Sequence, residues 1–168
     1  MRGHTVQRRT ILAQLAASAA LAGMVLPNVK AQAEPEADLV VRHKDGSQQT
    51  LRFKDLRQLV QHELTTSSPW YEGITTFRGP LLRDVLALAN FQSDTIVAKA
   101  ANDYRITIPY QDVVKFNVML AHTVNGERLT IRTSGPLFVM YPFDQLANLR
   151  LSTYYARCIW QLTQLEEQ

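Results

Sequence analysis

The stretch Ile74-Thr75-Thr76-Phe77-Arg78-Gly79-Pro80-Leu81-Leu82-Arg83-Asp84-Val85-Leu86 decides the fold class. Residues Ile74 to Arg78 are rich in β-branched and aromatic side chains and predict a short strand. Gly79-Pro80 breaks that strand, and proline is tolerated in a first helical turn, where its missing N–H needs no partner. Leu81, Leu82, Val85 and Leu88 then fall on one face at helical spacing. A strand that feeds straight into a short helix means that both element types share one core.

The flanking sequence has the same mixed character. On the N-terminal side, Leu39 to Lys44 and Gln48 to Phe53 flank Asp45-Gly46 and predict a β-hairpin. Asp55 is placed to cap a helix carrying Leu56, Leu59, Val60 and Leu64. Thr65 to Gly73 (TTSSPWYEG) has the composition of a loop. On the C-terminal side, Thr95 to Ala100 and Tyr104 to Ile108 predict paired strands around Asn102-Asp103, followed by a helical turn near Gln111 to Lys115. Val118 to His122 is extended, Asn125-Gly126 is a turn, Leu137 to Tyr141 is a buried strand, and a last strand covers about Cys158 to Leu165. Strands and short helices intermix without a regular βαβ rhythm. The expected class is therefore α+β, with a mixed β-sheet and short helices.

The chain has 168 residues, with 18 Lys+Arg against 15 Asp+Glu. Four of the cations (Arg2, Arg8, Arg9 and Lys30) lie in residues 1–33, which hold no acidic residue. The remaining 135 residues carry 14 cations and 15 anions, a net charge of −1. That balance argues against a nucleic-acid partner. A basic start, an Ala/Leu-rich run from Ile11 to Leu26 and Ala31-Gln32-Ala33 read as an export signal cleaved after Ala33. The apolar run is shorter than the ~20 residues that span a bilayer, so no membrane span is expected after cleavage. Arg8-Arg9-Thr10-Ile11-Leu12 is similar to a twin-arginine signal. The expected organisation is a signal over 1–33 and one domain over 34–168, located in the periplasm. A single cysteine excludes an intramolecular disulfide framework.

Three stretches together resemble the molybdopterin-binding oxidoreductase domain of the sulfite oxidase family. They are Phe77 to Leu86, Leu120-Ala121-His122-Thr123-Val124-Asn125-Gly126-Glu127-Arg128-Leu129, and Gly135-Pro136-Leu137 with Pro142 five residues on. Asn102-Asp103-Tyr104 stands where that family often has Asp-Gly-Tyr. The resemblance covers most of Ile74 to Leu165. It implies a sulfite-oxidase-like fold, oxidoreductase chemistry and a molybdopterin whose metal takes one cysteine thiolate from the loop before the Gly-Pro helix. Here that loop is Thr65-Thr66-Ser67-Ser68-Pro69-Trp70, without cysteine. The family's Arg after Pro-Leu is Phe138, and its Gly/Lys-rich segment is Phe143-Asp144-Gln145-Leu146-Ala147-Asn148. Arg150 and Arg157 are the candidate replacements for the phosphate anchor.

The resemblance implies one cleft built from these segments. Its expected lining is Thr66, Ser67, Trp70, Arg78, Tyr104, Arg105, His122 and Arg132, with Tyr110 and Tyr141 nearby. Ser67 or Thr66 could offer an oxygen in place of the thiolate, with Ser67 the candidate metal ligand. Cys158, between apolar neighbours, reads as a packed side chain. No Gly-x-Ser-x-Gly or HExxH pattern points to a hydrolase or a zinc site. The expected function is binding of a small anionic or heterocyclic ligand without the usual molybdenum–thiolate chemistry, with a periplasmic sensor or redox protein as partner. Two alternatives stay open. One is a molybdopterin enzyme with an atypical metal ligand and a separate electron-transfer partner, and the other is a structural adaptor with a filled cleft.

Overall fold

The computed structural model describes residues 38–168. The export segment, with Arg8, Arg9 and Ala33, lies outside the described residues. The described chain begins with β1 (Leu39–Arg42), β2 (Gln48–Leu51), α1 (Phe53–Gln58), β3 (His62–Ser68) and β4 (Tyr71–Gly79). It continues through α2 (Leu82–Leu88), β5 (Thr95–Ala100), β6 (Arg105–Pro109), α3 (Tyr110–Lys115) and β7 (Met119–Ala121). It ends with β8 (Thr123–Val124), β9 (Glu127–Arg128), β10 (Phe138–Met140), α4 (Ser152–Arg157) and β11 (Leu162–Glu167).

The α+β class holds, and the strands of the described residues form three sheets. The mixed sheet has the order β2-β1-β11-β5-β6, with β1 parallel to β11 and the other neighbours antiparallel. The second sheet is β3-β4-β8-β9 and the third is β10-β7. Leu39, Val41, Ile96, Ala98, Leu162 and Leu165 of the mixed sheet are buried in one core with Phe77, Leu82, Val85, Leu120 and Phe138. No helix among the described residues is long and apolar enough to cross a membrane.

The junction read first is where the sheets meet. Arg78 and Pro80 carbonyls accept from the His122 and Leu120 N–H groups, and Leu82 N–H donates to the Val118 carbonyl. The backbones approach so closely that a Cβ on Gly79 would lie 2.0 Å from the Leu120 carbonyl oxygen. Only glycine fits there. At the β8–β9 hairpin, Asn125 and Gly126 both have positive φ (48° and 84°), as a two-residue turn requires.

Four expectations are corrected. The segment Thr65 to Gly73 is not a loop: Thr65, Thr66 and Ser67 pair with Thr76, Thr75 and Ile74, leaving a short tip at Pro69-Trp70. Threonine suits a pleated, half-buried strand, and cross-strand pairing, including a 3.0 Å Thr65–Thr76 hydroxyl contact, overrides loop composition. The helix after Leu51 starts at Phe53 and stops at Gln58, so Leu64 is a core residue of β3 while Val60 is exposed. Gln61 ends it by donating its amide to the Leu56 and Leu59 carbonyls. Asp55 sits in its first turn and accepts the Arg52 N–H at 2.9 Å. Finally, β11 begins at Leu162, and Cys158 instead follows α4.

Candidate functional site

The tip of the β3–β4 hairpin is where the resemblance places a metal ligand. Thr66 is fully buried, and its Oγ1 accepts the Asp144 N–H at 3.1 Å. Ser67 donates its N–H and its hydroxyl to the Asp144 carboxylate at 2.5 and 2.6 Å. Arg150 pairs with the same carboxylate at 2.5 Å. The Ser67 hydrogen bonds, followed by Arg150, hold the Asp144 carboxyl below its ordinary range. The Ser67 oxygen is thus a donor in a clamp that fixes the 144–150 segment against β3. Its neighbour Ser68 has a buried hydroxyl with no hydrogen-bond partner, the one such side-chain atom among the described residues.

Beyond the tip, Trp70 enters an aromatic cluster. Its ring lies 5.5 Å from Phe138, 6.0 Å from Trp160 and 6.2 Å from Tyr155, all near edge-on. These are favourable quadrupole geometries. The cluster walls a pocket of about 420 Å³ that also takes in Tyr104, Asn102 and Cys158. Among the described residues no charged side chain lines it. Cys158 is 3% exposed, and burial pushes its thiol pKa well up, so it stays protonated.

A second cleft, of about 360 Å³, lies against α1, β4 and the β8–β9 hairpin. Arg57, Arg78 and Arg128 line it, with Phe53, Gln61 and His122. The His122 ring is fixed at both nitrogens. Gln61 spends its amide hydrogens on two carbonyls, so its Oε1 accepts from His122 Nε2 at 2.7 Å. Nδ1 then accepts the Thr123 hydroxyl at 2.8 Å. Burial first, then Arg78, Arg57 and Arg128, bring the His122 pKa down to about 4, so the ring is neutral.

The single expected cleft is therefore two. Trp70 and Tyr104 line the aromatic pocket, while Arg78 and His122 line the arginine cleft. The cause is strand alternation: Phe77 packs on Phe138 with the aromatic cluster, and its neighbour Arg78 points from the other face. The other candidates join neither. Thr66 and Ser67 belong to the Asp144 clamp, Arg105 pairs with Glu166 at 3.0 Å, and Arg132 sits on an exposed 3-10 turn. Tyr141 is fully buried and donates to Asp112, which also holds Arg157. Arg150 and Arg157 are thus committed to carboxylates. Trp160, Arg57, Arg128 and Ser68 were missed from sequence. Only Ser68 left a signal, since it follows Leu64 and Thr66 at strand spacing.

Among the described residues, three sheets around one core, with short helices between them, define an α+β domain. The sequence profile of the oxidoreductase molybdopterin-binding domain matches residues 26–145, and the chain belongs to that family. Among solved structures it is similar to the sulfane dehydrogenase SoxCD from Paracoccus pantotrophus, with 18% identity and a TM-score of 0.57 over 77% of this chain. That likeness concerns the fold, and the match spans 37% of the SoxCD chain. No curated protein sequence matches.

The family implies a molybdopterin, and the donor set can be tested against one. The hairpin tip offers Ser67, which is engaged with Asp144, and Ser68, whose oxygen is sealed from solvent. The one thiol is buried and protonated. Among the described residues the aromatic pocket has no cation for a pterin phosphate, and the arginine cleft has no thiol. Among the described residues no group of three or more His, Cys, Asp or Glu is placed to hold a metal. These side chains do not fit a thiolate-held molybdopterin.

Proposed function

We propose that this domain binds a small planar heterocycle in the aromatic pocket, without catalysis at a thiolate-held molybdenum. The carrying observation is the pocket itself. It offers two tryptophans 6.0 Å apart, Tyr104 and Tyr155 beside them, Asn102 for directed hydrogen bonds, and no charge. Its volume of about 420 Å³ falls within the roughly 300–1,000 Å³ typical of small-molecule sites. Ring faces supply stacking area, and one amide supplies orientation. Tyr104 is 47% exposed, so the pocket opens to solvent rather than being filled, as an adaptor would require. In this reading the protein works in the periplasm after cleavage near Ala33 and presents its liganded state to a sensor or redox protein.

The test uses the fact that Trp70 and Trp160 are the chain's two tryptophans. Intrinsic fluorescence therefore reports on this pocket alone. Metal-free pterin should quench it saturably, and Trp160→Ala should abolish the response while circular dichroism stays native. The same native protein, purified after export, should hold no stoichiometric molybdenum by elemental analysis. Bound molybdenum would overturn the reading and establish the enzymatic alternative. Absence of saturable quenching would remove the heterocycle. Replacing Arg8-Arg9 by Lys-Lys tests the route, and unchanged export would eliminate the twin-arginine assignment.

A further inference from the structure

The geometry points to a second, independent site: the arginine cleft binds a small molecule carrying a tetrahedral oxyanion, a phosphate or a sulfate group. Arg57 comes from α1, Arg78 from β4 and Arg128 from β9, and all three line one concavity. Their charges act at a common point, because each of them disfavours protonation of His122. Neither Arg57 nor Arg78 forms an ion pair with a carboxylate among the described residues. Arg57 and Arg78 are permanent cations that face one hollow and repel each other, and a multivalent anion relieves that repulsion.

The cleft is also organised in advance. The Arg128 guanidinium lies over the Phe53 ring at 4.2 Å, which fixes its plane. Phe53 in turn meets the His122 ring edge-on at 5.2 Å. Held neutral between Gln61 and Thr123, His122 is a rigid wall rather than a further cation. Planar guanidinium forks match the paired oxygens of phosphate and sulfate. The cleft volume leaves room beside Phe53 for an organic body attached to the oxyanion. This site shares no lining residue with the aromatic pocket and does not depend on what that pocket binds.

The experiment uses the purified protein in phosphate-free and sulfate-free buffer. Inorganic phosphate and inorganic sulfate are titrated separately, against sodium chloride at matched ionic strength. The readout is the NMR signals of the His122 ring and the Gln61 side-chain amide. Saturable shifts with phosphate or sulfate, and none with chloride, are expected, and the stronger ion identifies the ligand class. Arg78→Gln should weaken binding at least tenfold, Arg57→Gln severalfold, and Arg105→Gln, which lies outside the cleft, not at all. Anion binding should also raise the His122 pKa. Equal shifts with chloride, or equal loss in Arg105→Gln and Arg57→Gln, would overturn the assignment. Arg57 is exposed on its helix, so that variant retains the fold and keeps the test decisive if Arg78→Gln does not fold.

Discussion

His122 makes the stability of this domain depend on pH in a defined window. In the unfolded chain its pKa is the ordinary 6.5, and in the fold burial and the three arginines bring it to about 4. The unfolded state therefore binds a proton between those values while the folded state does not. Stability is complete above pH 6.5 and falls as pH drops towards 4. At about 1.4 kcal/mol per pH unit the full span corresponds to about 3 kcal/mol. The ring borders an open cleft, and solvent screening reduces this to about 1–2 kcal/mol. Urea denaturation of wild type and His122→Gln at pH 7.5, 6.5, 5.5 and 4.5 measures it. The variant loses the hydrogen bonds of the imidazole, which gives a roughly constant offset. What matters is the slope: the difference between the two proteins should shrink by about 1–2 kcal/mol from pH 7.5 to 4.5. Carboxylates that titrate in the same range act on both proteins and cancel. A difference that stays constant across the series would refute a neutral His122 and the convergence of the three arginines on it.

The hairpin tip gives two contrasting outcomes. A Ser67→Ala/Asp144→Asn double-mutant cycle should return a coupling of about 1 kcal/mol, because the hydroxyl hydrogen bond to the carboxylate is lost while the backbone N–H bond stays, and zero coupling would deny the clamp. Ser68→Ala removes a buried hydroxyl that bonds to nothing and should leave the melting temperature unchanged or raised. Gly79→Ala forces a Cβ against the Leu120 carbonyl and should destabilise by more than about 3 kcal/mol, seen as loss of the cooperative thermal transition.

Much of the scaffold could be read from local chemistry. The Gly79-Pro80 break, the Asn125-Gly126 turn and the Thr95–Ala100/Arg105–Pro109 pair follow from backbone preferences that act over a few residues. What escaped reading depends on distant partners. Thr65 to Ser67 become a strand because β4 and Asp144 lie alongside them. Leu64 has the spacing of a helical residue, but Gln61 stops the helix first. Helix α4 buries no residue completely, so it leaves only a weak hydrophobic period. For the sites, Trp70 and Arg78 were each legible as unusual residues, but their relation was not. Whether two such side chains share a cleft depends on which faces of a sheet they take, and that was fixed by a strand reading that the loop-like composition of Thr65 to Gly73 concealed. Arg57 and Arg128 meet Arg78 only through the packing of α1 and β9, which no local pattern encodes.

The strand order also sets the timing of folding. β11 lies between β1 and β5, and Ser93 and Gln92 hold its last residues through Gln168 and Glu167. A polypeptide still emerging from the ribosome has nothing to place between its first strand and its fifth. The largest sheet cannot close until Leu162–Glu167 has been synthesised, and removing those six residues would cut the sheet through its middle.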